Sequence, residues 1–267
     1  MDLCTYHSHC NFCDGKAPAE DFVRAAIEAG FHSYGISSHS PLPFETRWSL
    51  SKGNVEAYLM ELKRLQEKYA GQIELYVGME IDYLNDDWGP AVEYFQRMPL
   101  DYRIGSVHLV TEEQTGEIMD MDGKFEDFRE NLRMVFRDDL KYLVEAYFKA
   151  SSRMVELGGF DFVAHLDKIS MNGSLMDSTL TKQEWYNRLV WDYMYLIAER
   201  GVMVEVNTKA YTKKGMMFPN VKYFKWLKEL NIPVMVNSDA HLPQLVNDNR
   251  ALAFEWLREV GIKSTMR

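Results

Sequence analysis

Several things are scarce or missing in this 267-residue chain, and each absence excludes something. There are three cysteines, Cys4, Cys10 and Cys13, and they crowd into ten positions, so a paired disulfide framework is excluded and a reducing compartment is expected. No apolar run is long enough to span a bilayer, and no basic segment leads into a signal-like apolar stretch. The expected location is therefore cytoplasmic, with no membrane partner and no leader to remove. Positive charge is also short. Lys and Arg number 30 against 40 Asp and Glu, a formal net charge of −10, which argues against a nucleic-acid partner. A local basic pocket for phosphate remains compatible with that balance, and bound divalent cations would offset part of it. Linker-like Pro/Gly/Ser tracts, low-complexity segments and internal repeats are absent, so residues 1–267 are expected to form one domain.

What is present alternates. Short apolar or β-rich stretches at 3–7, 33–38, 73–81, 102–107, 160–165, 202–207 and 232–237 read as strands. Amphipathic stretches lie between them. Pro18 suits a first helical turn, Phe22, Ala25, Ala26 and Ala29 share a face, and Gly30 stops the helix. Residues 55–71 repeat the pattern. Residues 125–158 predict two helices, 181–200 and 219–231 one each, and 251–261 another. The alternation predicts an α/β fold with a parallel sheet, either closed into a barrel or open and doubly wound.

The seven histidines sort by position. His7, His9, His39, His108, His165 and His241 all fall at or just past the C-terminal end of a predicted strand, and only His32 falls at the opposite end. Parallel strands deliver their C-terminal ends to one mouth. Three acids reach the same ends: Glu80, Asp239 and Asp14. Taken alone, each would be read as a cap, a turn residue or an exposed side chain. Beside co-facing imidazoles they read as ligands, since imidazole and carboxylate together suit zinc, manganese and iron. Nine candidate ligands exceed what one ion takes, so two or three divalent ions are expected, with open positions of the kind catalysis uses. The cysteines read as packing residues, although Cys10-x-x-Cys13 has the spacing of half a zinc site or a redox pair.

At this point the motifs carry a resemblance. YHSH (6–9), GISSHSPLP (35–43), GMEID (78–82), GSVH (105–108), FVAHLD (162–167) and NSDAH (237–241) resemble the successive motifs of the polymerase and histidinol phosphatase (PHP) superfamily, in its histidinol-phosphate phosphatase branch. The resemblance implies a distorted (β/α)7 TIM-like barrel with a trinuclear metal centre at the C-terminal ends of its strands. It implies that His7, His9, Glu80 and Asp239 hold a first ion, and that Glu80 bridges to a second ion held by His108 and His165. Asp14, His39 and His241 would hold the third. Asp14 stands where some members have histidine, and Thr5 stands where an aspartate often precedes the first motif. A hydrogen bond that steadies the His7 ring from behind would then be missing or made by a hydroxyl.

The implied reaction is hydrolysis of the phosphomonoester L-histidinol phosphate, a small-molecule substrate of histidine biosynthesis, by a metal-activated hydroxide. Asp239 and His241 are candidates for moving protons. Arg47, Lys168, Asn207 and Lys209 are candidate phosphate or substrate contacts, and Trp48 is placed to pack over a substrate ring. Glu205, Asp82 and Asp167 are expected as an acidic lip for the substrate ammonium. EVNTKAYTKKG (205–215) departs from the branch at Tyr211-Thr212, where a leucine-arginine pair is usual. Rival readings are a phosphatase of the same superfamily acting on nucleotides or phosphotyrosine, an amidohydrolase-type barrel, and a non-enzymatic metal-holding barrel.

Overall fold

A computed structural model describes residues 3–263. Seven parallel strands form one sheet: β1 (Cys4–Thr5), β2 (Ser33–Ile36), β3 (Glu74–Asp82), β4 (Tyr102–Ser106), β7 (Phe162–Val163), β8 (Met203–Asn207) and β9 (Val234–Asn237). They pair in that order, each with the next in the sheet. The sheet curls until β9 comes back to β1. There a parallel bridge joins Ser8 to Ala240, the Asn237 side-chain carbonyl accepts from the Tyr6 amide (2.9 Å), and the His9 amide donates to the Ala240 carbonyl (2.9 Å). The barrel is nearly closed, as the distorted (β/α)7 form requires. All seven strands are those expected from the sequence, because both faces are covered and the runs are apolar with few interruptions.

Helices cover the outside. The α1 helix (Ala19–Glu28) buries Phe22, Val23 and Ala26; Ala29, expected on that face, is its exposed C-cap. Gly30 follows with φ +80°, the left-handed position at which glycine has no Cβ penalty. The longer helices are α2 (Val55–Lys68), α4 (Phe125–Phe136), α5 (Leu140–Leu157), α7 (Glu184–Arg200) and α10 (Arg250–Glu259), and α9 spans Phe224–Glu229. Three short helices were not expected: α3 (Glu93–Gln96), α6 (Ser170–Met176) and α8 (Tyr211–Lys214). Nor was the antiparallel hairpin β5 (Leu109–Thr111) with β6 (Ile118–Asp120), which lies directly after His108. Among the described residues no helix is long and apolar enough to cross a membrane.

Inside the barrel, below the strand ends, Tyr102 fills the space between β2 and β3. A Cβ on Gly35 or Gly78 would lie 2.2 Å or 2.1 Å from its phenol, so both positions must stay glycine for the ring to enter. Its hydroxyl donates to the Tyr6 carbonyl (2.7 Å), and its ring stacks over Phe162. The lower barrel is therefore plugged, and polar chemistry is confined to the upper end. Arg250 of α10 spans the β9–β1 seam from outside. Fully buried, it donates to the Val236 carbonyl on β9 (3.1 Å) and to the Cys4 carbonyl on β1.

Candidate metal centre

Six imidazoles and three carboxylates meet at the upper mouth. His7 and His9 follow β1, His39 follows β2, Glu80 lies on β3, and His108, His165, Asp239 and His241 follow β4, β7 and β9. Asp14 comes from the loop before α1. His7, His9 and Glu80 are fully buried, and His165 and Asp239 are almost so. Three sets of donor atoms each lie within 4.8 Å of one another: His9, Asp14, His39 and His241; His7, His9 and Asp239; His39, Glu80 and His108. His9 and His39 each belong to two sets, which the expected grouping did not anticipate.

The separations fit coordination. Bonds of about 2.0–2.1 Å around a tetrahedral ion set neighbouring donors roughly 3.3 Å apart. His7 Nε2 lies 3.1 Å from His9 Nε2 and 3.2 Å from Glu80 Oε2, and His9 Nε2 lies 3.2 Å from Asp239 Oδ1. The other Glu80 oxygen, Oε1, faces His165 Nε2 at 2.8 Å and His108 Nε2 at 3.7 Å. Asp14 Oδ1 lies 3.1 Å from His241 Nε2 and 3.8 Å from His39 Nε2. Glu80 Oε2 and Asp14 Oδ1 are buried and face imidazole nitrogens without hydrogen-bond geometry, an arrangement that suits a shared cation. The residues fit divalent ions.

The electrostatics of the two buried carboxylates and of His9 points the same way. Against burial, however, the carboxylates around His7 raise its pKa well above the usual imidazole value, and those around His108 raise it to about 9. Burial disfavours the charged forms of Glu80 and Asp239, yet His7, His39 and His108 around the first, and Lys209 and His7 around the second, outweigh it and keep both well below the usual carboxylate range. Burial, with His241 and His39 beside it, holds His9 well below an ordinary imidazole, so the ring keeps its lone pairs. Burial likewise pushes the Cys13 thiol up to about 12 and raises Cys10. Protonated thiols are poor ligands. The Cys10 thiol instead meets the Ser38 hydroxyl (3.4 Å), so imidazole and carboxylate make the donor set.

Behind the ligands stands a layer that the sequence reading assigned otherwise. Glu205, expected in an acidic lip, is fully buried, and its Oε1 lies 2.7 Å from His7 Nδ1. Its Oε2 accepts from the His165 amide and from Asn207 Nδ2, both at 3.1 Å. Asp82 accepts from the His108 amide (2.8 Å) and faces His108 Nδ1 (2.9 Å). Asp167 lies under the rim, takes the Asn220 amide (3.2 Å), and is pushed by burial up to about 7. None of the three forms a lip, because each is sealed from the mouth. Thr5 does not reach His7; its hydroxyl donates to Asn237 Oδ1 (3.2 Å). Asn207, expected to touch substrate, is buried with Nδ2 on Glu205 and on Asp239 Oδ2 (3.1 Å) and Oδ1 on the Lys209 amide (3.1 Å). Its amide is used up inside the protein, holding Asp239 in place. The clue was in the sequence: alternation along MVEVN puts Glu205 and Asn207 on one face, between valines that point to the helices.

Of the candidate clamps, Lys209 is the nearest. Its Nζ lies 3.3 Å from Asp239 Oδ1 and 3.1 Å from His241 Nε2. Lys168 is buried and pairs with Asp122 (3.2 Å). Arg47 is exposed on the loop after His39 and lines neither of the two cavities that open onto the cluster. Its neighbour Trp48 instead sets its ring against His39, centroids 4.9 Å apart, and donates from Nε1 to Asp120 Oδ2 (3.1 Å). Two of the candidate ligands carry backbone strain: His165 has φ +25° and Asp239 φ +48°. Non-glycine residues hold such values where the surroundings impose them, often at working sites.

Comparison with known proteins agrees with this layout. The profile of the PHP domain matches residues 5–209. A protein of Deinococcus radiodurans named "Probable histidinol-phosphatase" is 26% identical, over 97% of this chain and 94% of its own length. The histidinol-phosphatase of Bacillus subtilis is 24% identical, over 88% of this chain and 92% of its own. The crystal structure of histidinol phosphate phosphatase from Lactococcus lactis, complexed with zinc, L-histidinol and phosphate, superposes with a TM-score of 0.76 at 19% identity, covering 98% of this chain and 95% of that one.

Proposed function

The chain belongs to the PHP domain family, and from that premise we propose that it is a metal-dependent phosphomonoesterase that cleaves L-histidinol phosphate to L-histidinol and phosphate. The observation that carries the reaction class is Glu80, whose two oxygens face two different imidazole sets from the floor of one mouth. The substrate is supported by the names of relatives that align along most of the chain.

Two or three divalent ions (zinc, manganese or iron) would be held by His7, His9, Asp14, His39, Glu80, His108, His165, Asp239 and His241. When bound, such ions lower the pKa of water and balance the charge of a phosphoryl group. The chain's own residues do the remaining work. Lys209 adds positive charge at the edge where the phosphate enters, and Lys168 beside it is balanced by Asp122. Asn207 ties down Asp239 Oδ2 and so aims Oδ1 at His9 and Lys209, where it can hold an ion and orient the attacking water. Lys209 Nζ, next to His241 Nε2, carries a proton at the open side, where a departing alkoxide must be protonated. The plugged lower barrel admits solvent from one side only.

The test is phosphate release by purified, metal-analysed protein from L-histidinol phosphate, compared with nucleoside phosphates and phosphotyrosine. L-histidinol phosphate is expected to be cleaved with the highest kcat/KM, and His108→Ala is expected to lose at least about a hundredfold in kcat. Preference for either of the other esters would overturn the substrate.

A further inference from the structure

We propose that the mouth sorts its substrate by charge, and that the small lobe between Trp48 and the Asp120–Gly123 turn receives the cationic end of the leaving alcohol. The inference rests on the phosphomonoesterase reading above and adds the residues that would select the alcohol.

Two cavities open over the metal ligands. One, of about 140 Å³, has Asp14, His39 and His108 as its floor and Trp48, Asp120 and Asp122 as walls. The other, of about 290 Å³, reaches Asp239 and His241 and is lined by five lysines, Lys16, Lys168, Lys209, Lys213 and Lys214, against three aspartates, Asp122, Asp239 and Asp248. Asp122 and Lys209 line both, so these are two lobes of one mouth. In a chain with a net charge of −10, five lysines around one cavity form a local exception. The excess of lysines draws a phosphate dianion over the ligands toward that lobe.

The smaller lobe has the opposite character. Asp122 is neutralised by Lys168 at 3.2 Å, but among the described residues Asp120 has no ion-pair partner. Asp120 is fixed all the same: Oδ2 accepts from Trp48 Nε1 (3.1 Å) and Oδ1 from the Asp122 amide (3.0 Å). Each oxygen keeps a lone pair for a further donor. Trp48 is itself held against His39 and His108, centroids 4.9 Å and 5.7 Å away, so a rigid indole stands beside the carboxylate. A carboxylate and an aromatic face together suit an ammonium or imidazolium. The β5–β6 hairpin carries Asp120 here, and it leaves the barrel immediately after the ligand His108. Phosphate over the ligands with lysines on one side and a cation on the other gives a single substrate orientation.

The test compares L-histidinol phosphate with its desamino counterpart at pH 8, where the amine is charged and most of the imidazole is neutral. The wild type is expected to prefer the amino ester by tenfold or more in kcat/KM. Asp120→Asn, whose one carbonyl oxygen can accept from Trp48 or from the Asp122 amide but not from both, is expected to cut that ratio about tenfold through KM, and Asp120→Glu to restore part of it. Calorimetric titration with L-histidinol gives a second readout, its Kd rising about tenfold in Asp120→Asn. A wild-type ratio near one, or a ratio unmoved in folded Asp120→Asn, sinks the proposal. If L-histidinol phosphate is not cleaved but other monoesters are, the substrate reading falls, and O-phosphoethanolamine against ethyl phosphate decides the lobe. If no monoester is cleaved, both fall.

Discussion

At the scale of single residues, the main division is between side chains whose donor atoms face the mouth and those that hold them in place. Glu205 belongs to the second group and serves both ends of the cluster. One oxygen fixes the His7 ring; the other fixes the His165 backbone and, through Asn207, the Asp239 carboxylate. An amide in its place could still accept one bond, but it could not offer two carboxylate oxygens to three donors. Glu205→Gln is therefore expected to weaken zinc binding about 10–100-fold, as outer-shell losses do, in a chelator competition assay. Excess zinc should restore much of the activity. The convergence of the candidate ligands was legible in the sequence because a histidine at a strand's end has few other reasons to be there. The supporting acids were not, because a buried glutamate bound to a ring and an exposed one look alike until alternation along the strand is followed.

At the scale of elements, the seven barrel strands could be read because their apolar runs have no rival interpretation. The β5–β6 hairpin could not: its three-residue strands flank EEQTGE, which reads as plain loop. One acid in that loop holds it in shape. Glu112 Oε2 accepts from the amides of Gln114 (3.0 Å) and Thr115 (2.6 Å) and the Thr115 hydroxyl (2.8 Å), while Oε1 accepts from the Tyr142 phenol of α5 (2.8 Å). Burial raises its pKa, but these bonds prevail and hold it at about 2. The unfolded value is roughly 4.3. The depressed group therefore contributes stability that is complete above the unfolded value and disappears as pH falls toward about 2. The gap in urea midpoint between wild type and Glu112→Gln should accordingly narrow from pH 6 to pH 2. A constant gap would mean that the carboxylate charge is not what anchors the hairpin.

At the scale of the whole molecule, the candidate ligands run from position 7 to position 241 and meet at one mouth, so the proposed ion binding would be thermodynamically linked to barrel closure. An ion that binds only the closed barrel stabilises it by RT ln(1 + [L]/Kd), about 2.7 kcal/mol at a hundredfold excess over Kd. Chelation should therefore lower Tm by several degrees, and titrated zinc should raise it again in proportion to log concentration. A Tm indifferent to metal would argue against the centre. The seam between β9 and β1 adds a local side to this linkage. His7 and His9 stand on one lip of it and Asp239 on the other, and the two lips are joined chiefly by Asn237, one bridge and Arg250. An ion gripped across that gap would tie the two lips together, so its removal is expected to loosen the cylinder first along this seam.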